Sequence, residues 1–288
     1  MDKCINEYFL FGNEFKKSEE FVNYDMSVGK SLYEVIRVSG GIPIFFSEHL
    51  GRLENSADIM KYKMRVTRDQ ITNGILELID KNKICDGNVK LVVNYDPNKG
   101  NSENERFLVY FIPHSYPTEQ QYKEGVKTIT YHGERSNPNA KVINSDFRDK
   151  VNQQIAKSGV YEAILVDDNG FITEGSKSNI FMVIDSTVVT SKVENVLPGI
   201  TRQFIIKSCQ TLGIDFQERN IHEKDIESLT GLFISGTSPE VLPIQCVDSF
   251  SFHSSKNSII NSIMVEYQRE LDHNKQKFVK FIENRTIN

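Results

Sequence analysis

The order of apolar and polar positions along the chain switches repeatedly between a two-residue and a three-to-four-residue period. Ser31–Val38 (SLYEVIRV) is rich in β-branched and aromatic residues and runs into Gly40-Gly41 before IPIFF, which predicts a β-hairpin. The period then lengthens. Leu50, Leu53, Ala57 and Met60 recur at helical spacing, with Ser47 as N-cap, Glu48 in the first turn and a polar face of Glu48, Arg52 and Ser56. A second helix is predicted where Thr67 and Gln70 make a capping-box pattern ahead of the stripe Ile71, Ile75, Leu78 and Ile79. Val89–Tyr95 and Arg106–Ile112 read as strands around the polar stretch 96–105, which has the composition of an exposed hairpin loop.

Residues 113–125 carry two prolines and little apolar content, the mark of a linker, so a domain boundary is placed near residue 118. The expected domains are 1–118 and 119–288. Beyond the boundary, strand patterns (VKTITYH, YEAILV, FITEG, NIFMVID, TVVTS, GLFISGT) alternate with helical ones at 144–158, in ITRQFIIKSCQTLG and over 256–287. Both halves are therefore expected to be α/β.

Composition narrows the function classes. With 288 residues, 39% hydrophobic and 25% charged, the chain is an ordinary globular protein, and a net charge of −5 gives no footprint for nucleic acid. No apolar run reaches the roughly 18 residues of a membrane span. Four cysteines stand far apart without a CxxC pair, and six histidines lack metal-ligand spacing, so the expectation is a cytoplasmic protein with reduced thiols and no metal.

The second half also contains an ordered series of short motifs. These are Lys141-x-x-Asn144, Tyr161-Glu162-Ala163-Ile164, Thr173-Glu174-Gly175 with Ser178-Asn179-Ile180-Phe181, Leu197-Pro198-Gly199-Ile200-Thr201-Arg202, and Ser235-Gly236-Thr237-Ser238-Pro239-Glu240. The first half adds Tyr33-Glu34-x-x-Arg37 and His49-Leu50-x-Arg52-Leu53. Each piece alone is weak, but in this order and spacing they resemble the class IV aminotransferases, over about residues 28 to 245.

The resemblance implies a fold-type IV enzyme: two α/β domains with pyridoxal 5′-phosphate in the cleft between them, in a homodimer. It implies transfer of an amino group between an amino acid, of the branched-chain L or the D type, and a 2-oxo acid. Lysine is the residue type a carbonyl cofactor needs, since its amine condenses with the aldehyde and can then carry the substrate's Cα proton. The residues alone leave Lys141 and Lys150 open, and the resemblance selects Lys141. It also assigns Glu174 to the pyridine nitrogen, where a carboxylate keeps the ring protonated. The phosphate falls to the amides of Ile200 and Thr201, the hydroxyls of Thr201 and Thr237, and the Arg52 guanidinium, with Gly199 opening the helix that presents them.

Substrate recognition is assigned by resemblance to Tyr33, Lys90 and Ser238. Three departures keep the substrate open. Lys90 stands where branched-chain enzymes often carry arginine, and a point charge lacks the arginine fork. Asn94-Tyr95-Asp96 stands where D-amino-acid enzymes carry an arginine. A lysine near position 90 also resembles aminodeoxychorismate lyase, but Val35 replaces that enzyme's pocket threonine. The tyrosine that often supports the cofactor O3′ is missing after Lys141. The rival readings are thus the 4-amino-4-deoxychorismate lyase and a cofactor-binding protein that kept the fold without turnover.

Overall fold

A computed structural model describes residues 3–24, 26, 29–96, 105–135, 137–143 and 145–286. Most of the polar stretch read as a hairpin loop (97–104), and Asn144 of the lysine motif, lie outside the described residues. The chain forms two compact units, Met1–Ser115 with Ala140–Ile143 and Leu271–Asn288, and Tyr116–Asn139 with Asn144–Glu270.

In the first unit, β1 (Ile5–Phe11), β2 (Glu14–Lys17), β3 (Lys30–Ser39) and β4 (Ile42–Pro43) are followed by α1 (Phe46–Ile59) and α2 (Arg68–Asn82), then β5 (Asp86–Tyr95) and β6 (Arg106–Ile112). The strands make one antiparallel sheet in the order β2-β1-β6-β5-β3-β4. β3 and β5 pair along their whole length, from Lys30↔Tyr95 to Ser39↔Asp86.

Strand alternation sorts their side chains onto two faces. Leu32, Ile36, Val89, Leu91 and Val93 join Leu50, Leu53, Ile71, Ile75 and Leu78 of the two helices in the main core. Each such burial contributes about 1.5–3 kcal/mol. Tyr33 and Val92 face the other way, into an aromatic cluster with Phe9, Phe21 and Tyr110. The whole of β5 beyond Asp86 is buried, so its polar residues Asn88, Lys90 and Asn94 are too.

The capping box of α2 forms as its sequence predicts, Gln70 N donating to Thr67 Oγ1 at 3.2 Å and Thr67 N to Gln70 Oε1 at 2.9 Å. The start of α1 differs from expectation. Its N-cap is Phe45 in the left-handed region (φ 50°), not Ser47, which is exposed in the first turn. Burial of Phe45 and Phe46 fixes the entry, and the Phe45 amide donates to Asn274 Oδ1 at 2.7 Å instead of relying on a side-chain cap. The expected polar face is also corrected: Arg52 and Ser56 are buried, because β3 supplies Arg52 with a carboxylate partner.

The second unit runs α3 (Glu119–Glu124), β7 (Val126–His132), α4 (Ser145–Ser158), β8 (Glu162–Val166), β9 (Ile172–Gly175), β10 (Asn179–Ile184), β11 (Thr187–Thr190), α5 (Ile200–Leu212), β12 (Phe216–Glu218), β13 (Gly231–Gly236), β14 (Glu240–Val247), β15 (Phe250–Ser251) and α6 (Ser258–Thr286), whose last part belongs to the first unit. Its sheet has the order β12-β11-β10-β13-β14-β7-β8-β9, with β15 on β14. Within it β7 is parallel to both neighbours, β14 and β8. Val151 of α4 packs on Ala163 and Leu165 of β8, the arrangement of a crossover helix. No helix among the described residues is long and apolar enough to cross a membrane.

Candidate active site

In the first unit, residues 140–143 run beside β3. Tyr33 N donates to Lys141 O at 3.1 Å, Ile143 N to Ser31 O at 3.1 Å, and Lys141 N to Ser56 Oγ at 3.2 Å. The backbone of Lys141 is thereby held by its amide and its carbonyl. Its ammonium lies 4.9 Å from the centre of the Tyr33 ring, and that of Lys90 lies 5.0 Å from the same ring. Two of the expected residues, Lys90 and Lys141, therefore converge on a third, the buried Tyr33. Lys150 is exposed on α4.

Arg52 is engaged by Glu34, which lies on the helix-facing side of β3. Arg52 Nε donates to Glu34 Oε1 at 2.8 Å and Nη2 to Oε2 at 2.5 Å, while His49 Nδ1 stands 2.7 Å from Oε2. Burial alone would raise the Glu34 pKa, but the charge and hydrogen bonds of Arg52, with His49, hold it at about 2. Burial lowers the His49 pKa, and the hydrogen bond to Glu34 offsets that only in part. His49 is thus the neutral tautomer with the proton on Nδ1, donating to Glu34. The 3.4 Å approach of Arg52 Nη2 to that nitrogen is then a contact between two donors, not a hydrogen bond.

In the second unit, Glu174 is buried near the end of β9. Its Oε1 accepts from Arg135 Nη1 at 3.1 Å and its Oε2 from the Leu197 amide at 3.0 Å. Glu174 and Arg135 border a cavity of about 640 Å3 together with Leu165 and Thr173. The loop leading into α5 is pinned by side-chain amides: Asn139 Nδ2 donates to the carbonyls of Val193 (2.7 Å) and Val196 (2.8 Å), and Asn179 Nδ2 to that of Leu197 (2.9 Å). Gly199 is the N-cap of α5, with no side-chain cap and no acid in the first turn, and Ile200 and Thr201 behind it are buried. Gly199 is there for clearance, since a Cβ would stand 2.1 Å from Asn179 Oδ1.

Thr237 and Ser238 lie half-buried in the turn between β13 and β14, and just before them the buried Ser235 Oγ has no hydrogen-bond partner. A buried helix start without cap or acid favours an anion. With an orphan hydroxyl on β13 and a fixed carboxylate at Glu174, the residues of this unit fit a phosphate and a protonated ring nitrogen.

Several residues escaped the sequence. Arg135 pairs with Glu174 across 39 positions, and nothing in the intervening pattern signals it. Arg106 donates to Asn94 Oδ1 through Nε (3.0 Å) and Nη2 (2.6 Å), so an arginine from β6 reaches the position where Asn94 broke the D-amino-acid pattern. Glu34 and His49 stood in the quoted motifs without a role; the i, i+3 spacing of His49 and Arg52 was the available signal.

The family model for class IV amino-transferases matches residues 31–247. A D-alanine aminotransferase of Bacillus licheniformis is 29% identical over 227 residues, covering 76% of this chain and 80% of that protein. The branched-chain-amino-acid aminotransferase of Escherichia coli strain K12 is 25% identical over 264 residues, covering 84% and 85%. A solved branched-chain aminotransferase of the thermophilic archaeon Thermoproteus uzoniensis, with norvaline, superposes with a TM-score of 0.75 at 20% identity, over 96% of this chain and 98% of that one, and so shares the fold. The profile match takes in both the Tyr33–Glu34 and the Ser235–Glu240 motifs, and the chain belongs to the class IV aminotransferases, pyridoxal-phosphate enzymes that move an amino group between an amino acid and a 2-oxo acid.

Proposed function

We propose that Lys141 is the lysine that binds the cofactor aldehyde and that its amine then carries the proton taken from the substrate's Cα. The observation behind this is the clamped backbone of Lys141 with its side chain on Tyr33, against the exposed position of Lys150. When bound, pyridoxal phosphate supplies the electron sink for the carbanion at Cα. Glu174 is the partner of its ring nitrogen, and Arg135 and the Leu197 amide keep that carboxylate oriented. The amides of Ile200 and Thr201, the hydroxyls of Thr201 and Thr237, and Arg52 hold the phosphate.

Lys90, Tyr33 and Ser238 receive the substrate, an amino acid of the branched-chain L or the D type. The buried Lys90 ammonium supplies a cation for a carboxylate, and Arg106 at Asn94 adds a second. We further propose a cytoplasmic homodimer, tested by the solution mass.

Titration of the purified protein with pyridoxal phosphate should raise a band near the visible edge. Lys141→Ala should lose both band and turnover, and Lys150→Ala should keep them. If Lys141→Ala retains both, the assignment is wrong. A panel of L- and D-amino acids, each tested for conversion of the bound cofactor, then reports substrate and stereochemistry, and failure of the whole panel supports a non-catalytic cofactor-binding protein.

The lyase reading has one structural observation in its favour, the burial of Lys90, which pairs in register with Val35. Release of pyruvate and 4-aminobenzoate from aminodeoxychorismate would establish it.

A further inference from the structure

The first unit contains a cavity of about 410 Å3 among the starts of α1 and α2 and the last turns of α6. This volume lies within the roughly 300–1,000 Å3 of small-molecule sites. Its apolar wall is Phe46, Leu50, Phe278 and Phe281, with Phe46 and Phe278 edge to face at 5.6 Å. Four charged residues also line it: Glu48, Arg68, Asp69 and Lys277.

Two of those charges are matched. Arg68 grips Glu54 through Nε (2.6 Å) and Nη2, and Asp69 Oδ1 pairs with Arg285 Nη2 at 3.1 Å. The other two are not. Glu48 Oε2 is buried with no hydrogen-bond partner, and Lys277, exposed at the rim, makes no ion pair among the described residues. A buried acceptor left unpaired is costly, and an ammonium satisfies it best. One unmatched carboxylate and one unmatched ammonium on an aromatic wall are complementary to a zwitterion with an apolar side chain.

We propose that this cavity is a binding site for an apolar amino acid. The ligand's ammonium meets Glu48, its carboxylate meets Lys277, and its side chain lies against Phe46, Leu50 and Phe278. None of these residues is among those assigned to the cofactor or the substrate, so the proposal does not rest on the roles assigned to Lys141 or Glu174.

The test is equilibrium dialysis of the cofactor-loaded enzyme against α-methyl-L-phenylalanine, which has no Cα proton to lose, with cofactor absorbance read in the same cells. Bound ligand should exceed what the absorbance change accounts for by about one per chain. Glu48→Gln and Lys277→Gln should each weaken that extra binding at least about tenfold, the scale of a lost charge-assisted hydrogen bond, and leave the absorbance change intact. 2-Phenylethylamine and 3-phenylpropionate, each with one charge, should bind more weakly than the zwitterion. Extra binding that is absent, insensitive to both substitutions, or equal for the single-charge probes overturns the proposal. If the protein takes up no cofactor, dialysis still reads this site, so the two failures are distinguishable.

Discussion

Glu34 on β3 and Arg52 on α1, eighteen positions apart, form a two-point ion pair in which both partners are buried. The geometry ties the helix to the sheet at the level of Leu32 and Ile36. Glu34→Gln leaves the Arg52 charge without compensation, and a broken buried pair costs about 3–5 kcal/mol. Urea denaturation should show a loss of that size. A change below about 1 kcal/mol would mean that solvent or another group replaces the carboxylate.

The same cluster sets a pH dependence. His49 is neutral in the folded protein with its pKa below 6.5, so the unfolded chain takes up more protons as the pH drops, and stability present above about 6.5 is lost beneath it. Glu34 has its pKa lowered from 4.5 to about 2, so its contribution is present above 4.5 and lost as the pH falls through about 2. The denaturation midpoint should therefore decline first below 6.5 and again below 4.5. His49→Gln, whose amide can still donate to Glu34, should remove the first decline and keep the second.

Glu162 behaves differently, because burial raises its pKa and no cation compensates fully. Its Oε1 accepts from the Lys177 amide at 2.6 Å and from Ser178 Oγ at 2.9 Å, organising the turn after Glu174. A Cβ on Gly175 would reach within 2.6 Å of that oxygen, so the turn has no room to relax. Glu162→Gln keeps an acceptor and removes a buried charge, and should change stability at pH 7 by less than about 1 kcal/mol, whereas Glu162→Ala strands both donors and should cost about 2–3 kcal/mol in thermal or urea unfolding.

Gly199→Ala should weaken pyridoxal phosphate retention. The Asn179 oxygen that a new Cβ would meet is held in place by the amide group's bond to Leu197 O, so the helix start must shift to make room. An absorbance titration should show at least about tenfold weaker binding, equivalent to about 1.4 kcal/mol. Binding unchanged from wild type would show that the start of α5 does not hold the phosphate.

Thiol accessibility offers a separate check on the packing. Burial raises Cys4 to about 11 and Cys209 to about 12, while Cys85 is exposed and Cys246 half-buried. A thiol reagent at neutral pH should modify Cys85 first, and Cys4 and Cys209 only after denaturation. Prompt reaction of all four thiols would contradict the buried positions.

What the sequence carried was local. The capping box of α2 and the long strands were legible because Thr67 and Gln70, or the alternating residues of β3, act on neighbours a few positions away. The start of α1 was misread because two phenylalanines prefer burial over a serine cap, and burial depends on Asn274 and the distant α6. The polar stripe of Arg52 and Ser56 looked solvated for a similar reason: its partners, Glu34 and the amide of Lys141, come from elsewhere in the chain. Motif order singles out Lys141 and Glu174 as candidates, yet the groups that hold them, Ser56, Arg135 and the Leu197 amide, have no sequence spacing to betray them.

The parallel pairing of β7 has a consequence for how the chain reaches its native state. Its partner β14 joins Val126 to Ile244 and Thr128 to Val247, contacts separated by more than a hundred residues. During synthesis β7 leaves the ribosome long before β14 exists, and one of its edges must stay unpaired meanwhile. Contacts of such long range slow folding and leave strand edges open to aggregation. The second sheet is therefore expected to close late, and refolding yield should fall as protein concentration rises.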